Sequence, residues 1–471
     1  MGIILRQNRP AGPAPPWAWV WPIAALGLLL RLLAAQGALW LDEAWSAVTA
    51  HDVATPLGIL LQINHDNNHH LTSLWLQLVG LDASPVLQRG LSILTGTLTI
   101  PVAALIAVRA GKWPAIVAAL FFAISPLLVI YGAEARGYAP MLLAMLVTVL
   151  LVARWLDHPT GRVPAIPIAL AVLLGMLSQL TMAFGLAAIA LWVMQTLWPG
   201  RDWRGRIRVT ARIFAPLLIP AILVILLVLG AANAAGTGIR VGNYEPFSLA
   251  ALARGWTQML GALLGGFIAL FAMLLLCDPR LIRAQRDQRL FALLLVVPLG
   301  VLLLQLPNSG APRYHLLSGV GLLMLVSIAA GYCLASRAQR HRIAARTVIA
   351  IAVAFALFAD WQIIENRRAD PGVALDALAA RAPTGAGVAV DRQRSSAILR
   401  AASASRHYPM RIVETPCAAA PFLFIDRDGA DPFPDPATRC GARYRVIAEG
   451  HPTGLSGTHW KLYERVAGGQ H

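Results

Sequence analysis

The sequence predicts a polytopic α-helical membrane protein with about eleven transmembrane helices of ~20 residues each, followed by a small soluble α/β domain at the C-terminus. Three observations predict it. The 471 residues are 57% hydrophobic and only 13% charged, against roughly 25% charged in soluble domains. Apolar runs such as 23–33, 115–130 and 217–229 recur along most of the chain. They do not alternate, which excludes a β-barrel, so each run must satisfy its backbone as a helix. Basic residues, finally, concentrate in every second loop.

Spans are expected near 17–36, 90–108, 114–132, 137–154, 164–180, 184–198, 213–232, 257–277, 290–306, 315–335 and 347–363. Alternate loops then hold most of the cations: Arg6 and Arg9; Arg109 and Lys112; Arg154 and Arg162; a set from Arg201 to Arg212; a set from Arg280 to Arg289; a set from Arg337 to Arg346. The opposite loops hold only scattered arginines: Arg89, Arg136, Arg240, Arg254 and Arg313. Positive loops stay inside, so the N-terminus is placed inside and the C-terminus outside. The net charge of +16 is thereby explained as membrane topology, and nucleic-acid binding is excluded. The first apolar segment carries Arg31 and lacks a compact core, so it reads as a retained helix and not a cleaved leader. Trp17, Trp19 and Trp21 read as an interfacial aromatic belt.

Residues 1–16 form a proline-rich cytoplasmic lead-in, 17–363 the transmembrane domain, and 364–471 an exported α/β domain. In that domain 374–381 reads as a helix, and 387–390, 421–425, 444–448 and 460–463 read as strands. Cys417 and Cys440 lie in it and are expected to form a disulfide, worth ~3 kcal/mol on a chain-entropy basis. The first outer loop, 37–89, contains amphipathic stretches at 57–63 and 71–79 suited to the interface. The loop 233–256 is rich in Gly, Ala and Asn and reads as mobile, with a lid as one of the roles open to it.

Ionisable residues near hydrocarbon are costly and tend to be functional. Here they gather on the outer face in four places: Asp42-Glu43, the segment His65-Asp66-Asn67-Asn68-His69-His70, the block Tyr131…Glu134-Ala135-Arg136…Tyr138, and Arg313-Tyr314-His315. Such a set can converge on one cavity. Plainer readings stand beside this one. Asp42-Glu43 suits a helix cap, and Asp66 suits another. Glu134 with Arg136 suits a loop ion pair, and Arg313 a snorkelling arginine. Asp66 with His65, His69 and His70 is the one group with metal-ligand chemistry, so a divalent metal is kept open.

These motifs carry a resemblance to the membrane-embedded GT-C glycosyltransferases, the branch of protein O-mannosyltransferases and lipid A aminoarabinose transferases. Asp42-Glu43 resembles the acidic pair of that family's first outer loop. Residues 66–71 look like a variant of its D-x-H-P-P-L-Y segment, with Asn68-His69-His70 replacing the His-Pro-Pro core. The Ser125–Tyr138 block and Arg313-Tyr314 are similar to later family segments. The resemblance spans about residues 20–335, and the lysine by which some relatives hold the carrier phosphate is missing.

The resemblance implies a polyprenyl-phosphate-linked sugar donor, an inverting transfer to an acceptor hydroxyl on a lipid, glycan or protein, and a site on the periplasmic face of a bacterial inner membrane. Inverting transfer needs a general base, for which Asp42 is the choice, with Glu43 sharing charge or orienting the acceptor. The departing phosphate needs fixed cations. Arg136 and Arg313 offer bidentate guanidinium geometry, with His69, His70 and Tyr314 in support, and Asp66, Glu134 and Tyr138 as acceptor or supporting residues. The competing class is a transporter or flippase of lipid-linked glycans. A transporter places charged or broken-helix features at the bilayer midplane, whereas here the polar groups sit at one interface.

Overall fold

A computed structural model of the chain describes residues 14–63, 69–159, 161–199, 201–236, 245–266, 286–413, 420–429, 431–434 and 437–466. The membrane part begins with α1 (Trp17–Ala34), then four short helices in the 37–89 segment: α2 (Leu41–Val53), α3 (Pro56–Gln62), α4 (His70–Val79) and α5 (Pro85–Gln88). The helices α6 (Gly90–Ala107), α7 (Lys112–Ile124), α8 (Pro126–Gly132), α9 (Tyr138–Asp157), α10 (Ala165–Ser178) and α11 (Met182–Leu197) follow. Beyond them come α12 (Trp203–Ala234), α13 (Leu249–Leu264), α14 (Arg286–Leu294), α15 (Val297–Leu303), α16 (Leu316–Ala335) and α17 (Gln339–Asn366).

Among the described residues six helices are long and apolar enough to cross a membrane, or seven if the bent pair α7–α8 is one span. Their outward leucines, such as Leu29, Leu223 and Leu226, are more than half exposed, as lipid-facing side chains of a polytopic membrane protein are. α16 is the opposite case, buried along nearly its whole length and packed on α7.

Two expected spans are broken, for one reason. The segment 114–132 bends by 58° between α7 and α8, because Pro126 has no N–H to donate and disfavours helical backbone at Ser125. Ser125 is extended, with φ −63° and ψ 119°. The segment 290–306 likewise breaks ahead of Pro298, giving α14 and α15. Most of the expected 257–277 span lies outside the described residues, as do Cys417, Cys277 and 237–244 of the Gly/Ala/Asn-rich loop.

The C-terminal part is an α/β domain: α18 (Gly372–Arg381), β1 (Ala386–Val390), α19 (Gln393–Ser405), β2 (Met410–Val413), β3 (Phe422–Arg427), β4 (Ala437–Arg439), β5 (Ala442–Gly450) and β6 (His459–Arg465). α19, β2 and β4 are additions to the elements read from sequence. The sheet order is β2-β1-β3-β6-β5-β4. β1 runs parallel to β2 and β3, and the other pairs are antiparallel. Successive β3 residues point to opposite faces. Phe422 and Phe424 pack with Trp460, Leu375 and Ile398 under α18 and α19, while Leu423 and Ile425 pack with Tyr444 and Tyr463 on the other face.

The α/β domain docks on the 37–89 segment. Ala397 and Ala401 of α19 share an apolar cluster with Leu39, Ala44 and Ala47. The Ala38 and Leu41 backbone amides donate to Asp370 Oδ1 (2.7 Å) and Thr458 Oγ1 (3.2 Å). The loop that carries Asp42 is thus built between two domains.

Candidate active site

α2 starts one residue before Asp42 and places Asp42 and Glu43 in its first turn. Neighbours on a helix point about 100° apart, and here the two carboxylates part company. Glu43 turns inward and is fully buried. Its oxygens accept from Arg89 Nε (2.9 Å) and Nη2 (2.6 Å), and from the backbone amides of Ala135 (2.7 Å) and Trp40 (3.2 Å). Arg89, also fully buried, donates its remaining hydrogens to the carbonyls of Ala35 (2.7 Å), Gly37 (2.8 Å) and Ala38 (3.1 Å). Burial alone would raise the Glu43 carboxyl, but the Arg89 charge and hydrogen bonds outweigh it and hold the group below the ordinary carboxylate range.

The loop between α8 and α9 is anchored alongside. Glu134 is buried, accepts from Ser456 Oγ, and lies 3.9 Å from Arg368 Nε. Arg368, just beyond α17, donates to the carbonyls of Ala34 (2.7 Å), Ile130 (3.3 Å) and Ala133 (2.9 Å). The ends of α1, α8 and α17 therefore meet at one guanidinium. Burial, only partly offset by Arg368 and reinforced by the charge of Glu43, pushes the Glu134 carboxyl up to about 7. Gly137 closes this loop against α10. A Cβ there would stand 1.8 Å from the Ser178 carbonyl oxygen and 2.6 Å from His69 Nδ1, so only glycine fits.

Asp42 turns the other way and stays a quarter exposed. Its Oδ2 lies 3.3 Å from Arg313 Nη1 and 3.6 Å from Arg136 Nη1, and Arg136 Nη1 also donates to the Asp42 carbonyl at 3.2 Å. Arg313 comes from a 3-10 turn, Pro312–His315, that leads into α16. Each guanidinium stands 5.9 Å from a tyrosine ring, Arg136 on Tyr138 and Arg313 on Tyr314. Two cations thus face one carboxylate. Among the described residues Arg136 Nε and Arg313 Nε, both buried, have no hydrogen-bond partner. A tetrahedral anion with several oxygens is the ligand that such donors fit.

His69 lies at the edge of this group, its ring 5.3 Å from that of Tyr138, its Nδ1 2.8 Å from the Ser178 carbonyl oxygen. Burial first, then the Arg136 charge, drives its pKa well below the usual histidine value, so the ring is neutral at pH 7. With Nδ1–H donating to Ser178, Nε2 is left as an acceptor. His70 is buried with neither ring nitrogen partnered among the described residues. His65 and Asp66 lie outside the described residues. Among the described ones no group of three or more His, Cys, Asp or Glu is placed to hold a metal ion.

The structure thus brings Asp42, Arg136, Arg313, Tyr138, Tyr314 and His69 together, with Glu43 and Glu134 behind them. Three residues of this region had no functional reading in the sequence: Arg89, tallied there only as a loop cation, and Arg368 and Ser456 in the C-terminal part. Asp360 of α17 is a fourth unread residue. It is buried in a span, its oxygens have no hydrogen-bond partner among the described residues, and it interacts electrostatically with Arg31 of α1. An acid inside an apolar run was the available signal.

No protein-family model and no curated protein matches the sequence. Solved structures do. The chain is similar to ArnT, the lipid A aminoarabinose transferase, from Cupriavidus metallidurans in the apo state, with a TM-score of 0.59 at 13% identity over 95% of this chain and 98% of that one. The same protein bound to undecaprenyl phosphate gives 0.58 at 12% identity with the same coverage. The oligosaccharyltransferase of Archaeoglobus fulgidus in the apo form gives 0.53 at 11% identity, over 84% of this chain but only 64%, less than two thirds, of that protein. Both are GT-C superfamily proteins, and the chain described here has their fold.

Proposed function

We propose that the protein is an inverting glycosyltransferase that moves a sugar from a polyprenyl-phosphate-linked donor to an acceptor hydroxyl at the periplasmic face of a bacterial inner membrane. In this reading about eleven helices cross the bilayer, the N-terminus lies inside, and the site and the α/β domain lie outside. One observation carries the function: Asp42, a quarter exposed, is faced by Arg136 and Arg313, whose Nε donors are unused among the described residues. That one of the fold neighbours was solved with undecaprenyl phosphate supports a lipid phosphate as the anion.

The chemistry follows from the charges. A phosphate diester offers two non-bridging oxygens, sharing one negative charge, to guanidinium forks that otherwise share one carboxylate, so its arrival draws Arg136 and Arg313 from Asp42. The freed carboxylate then accepts the proton of the acceptor hydroxyl as that oxygen bonds to the anomeric carbon. The bond from the anomeric carbon to the phosphate oxygen breaks, and the new negative charge falls on the arginines. His69 Nε2 and the Tyr138 and Tyr314 hydroxyls are the neighbours available to orient sugar hydroxyls. Glu43 and Glu134 act through the loops they hold.

The test uses a radiolabelled polyprenyl-phosphate sugar, a membrane extract as acceptor source, and purified wild type beside Asp42→Asn. Wild type transfers label, and Asp42→Asn loses about a thousandfold, as expected of a general base, with unchanged folded yield. Equal activity in the two proteins removes Asp42 from the chemistry. Failure of wild type with every such donor moves the reading to the transport of lipid-linked glycans.

A further inference from the structure

The α/β domain has a cavity of its own, separate from the membrane site. It has a volume of about 720 Å³, within the range of ~300–1,000 Å³ typical of small-ligand sites. Its position has a topological cause. β1 has parallel neighbours on both sides, β2 and β3. The chain leaves β1 through α19 towards β2, on the opposite side from β3, so the connections diverge beyond the carboxyl ends of β1 and β3. Crevices at such switch points are where open α/β sheets bind ligands. The cavity lies at this place, between Val390-Asp391 at the end of β1 and Ile425 and Arg427 at the end of β3.

Its lining is divided. Val390, Leu423 and Ile425 form an apolar floor. At the rim Asp391 and Arg427 pair at 2.5 Å, which sets acceptor oxygens beside donor nitrogens, the arrangement that vicinal hydroxyls bind. Arg439 also lines the cavity. Its Nη1 donates to the Val390 carbonyl at 2.6 Å, and its buried Nε has no partner among the described residues. Arg427 thus has a carboxylate, whereas the Arg439 guanidinium donates to a neutral carbonyl. We propose that this cavity binds an anionic saccharide, its hydroxyls on the Asp391–Arg427 pair and its phosphate or carboxylate on Arg439. The site stands apart from Asp42 and does not depend on sugar transfer there.

The experiment is ligand titration of the full chain in lipid nanodiscs, followed by saturation-transfer NMR. The probes are glucose 6-phosphate, glucuronic acid, glucose and inorganic phosphate. Saturable binding of one or both anionic sugars is expected, with phosphate or carboxylate preference read from which binds tighter. Arg439→Gln weakens that binding at least tenfold, and Asp42→Asn leaves it unchanged. Thr438→Trp, at an exposed lining position, abolishes it by filling the cavity and stands in should Arg439→Gln fold poorly. Absence of saturable binding, or binding that survives Thr438→Trp, overturns the proposal. So does glucose binding as tightly as the anionic sugars, or inorganic phosphate binding as tightly, which reduces the cavity to an unselective dent or a bare anion site.

Discussion

Asp42 and Glu43 are adjacent in sequence and opposite in physics. Glu43 and Arg89 are fully buried, and the contacts among them and the surrounding backbone use both carboxylate oxygens and every arginine nitrogen. Asp42 shares two arginines at 3.3 and 3.6 Å, keeps a quarter of its side chain exposed, and leaves Nε donors unmet on both. A saturated cluster has nothing left to offer a ligand, while an unsaturated one has. The difference teaches that charge near the membrane is not itself the mark of a site: incomplete pairing is. The sealed cluster ties α1, α2, α6 and the α8–α9 loop together, and its rigidity holds the open one in place.

The largest effect expected from breaking this contrast is on folding. Glu43→Gln leaves the Arg89 cation buried without its counter-charge, and removing one partner of such a pair costs about 3–5 kcal/mol. Folded yield and Tm in detergent are expected to collapse. The double variant Glu43→Gln with Arg89→Met recovers part of the loss, because no uncompensated charge remains. A single variant that melts like wild type means the cluster is not sealed.

On the open side, Arg313→Lys and Arg136→Lys keep the charge and lose the fork. Each is expected to lower kcat/KM by about a hundredfold, the scale of one lost donor to a developing anion, with Tm within a few degrees of wild type. A parallel drop in Tm and activity would make these arginines structural like Arg89, and the comparison would dissolve.

Glu134 sharpens the boundary between the two regions. Its carboxyl is raised by burial to about 7 from an ordinary 4.5, so the folded state holds the proton more tightly than the unfolded one. The sign is that of a raised acid: the folding penalty is full above pH ~7 and relieved as pH falls towards 4.5. The charges around it are Arg368, Glu43 and Arg136, with Ser456 as hydrogen-bond partner. Glu134→Gln is expected to flatten the pH dependence of Tm between about 4.5 and 7 by a few degrees. An unchanged profile would mean the carboxyl is not the group that titrates there.

What was legible in the sequence follows what local physics determines. Apolar runs announced the helices, and four strands of the C-terminal α/β domain were visible between their Gly and Pro boundaries. The break at Ser125 was not read: Pro126 dictates it, but the apolar run around it masked the signal. Asp42, Arg136 and Arg313 were legible as charges on one face. Their division of labour with Glu43 and Arg89 was not, because the choice between a saturated and an unsaturated pair is made by carbonyls at Ala35, Gly37 and Ala38 that only the folded chain brings to Arg89. Arg368 and Ser456 were further from reach: their partner, Glu134, lies more than 200 residues earlier, and no spacing rule spans that.

The smallest effect tests the outer seam between the domains. Arg400 of α19 and Asp52 of α2 form a two-pronged ion pair at 2.7 and 3.0 Å, yet both side chains are more than 40% exposed. Solvent and salt screen such a pair, and its worth is typically under about 1 kcal/mol. Arg400→Ala is therefore expected to leave Tm and transfer rate nearly unchanged. The apolar contact of Ala397 and Ala401 with Leu39, Ala44 and Ala47 is expected to hold the domains together without it. A marked loss of activity at unchanged Tm would instead make the α/β domain's grip on α2 part of what aims Asp42, since α2 is the element both share.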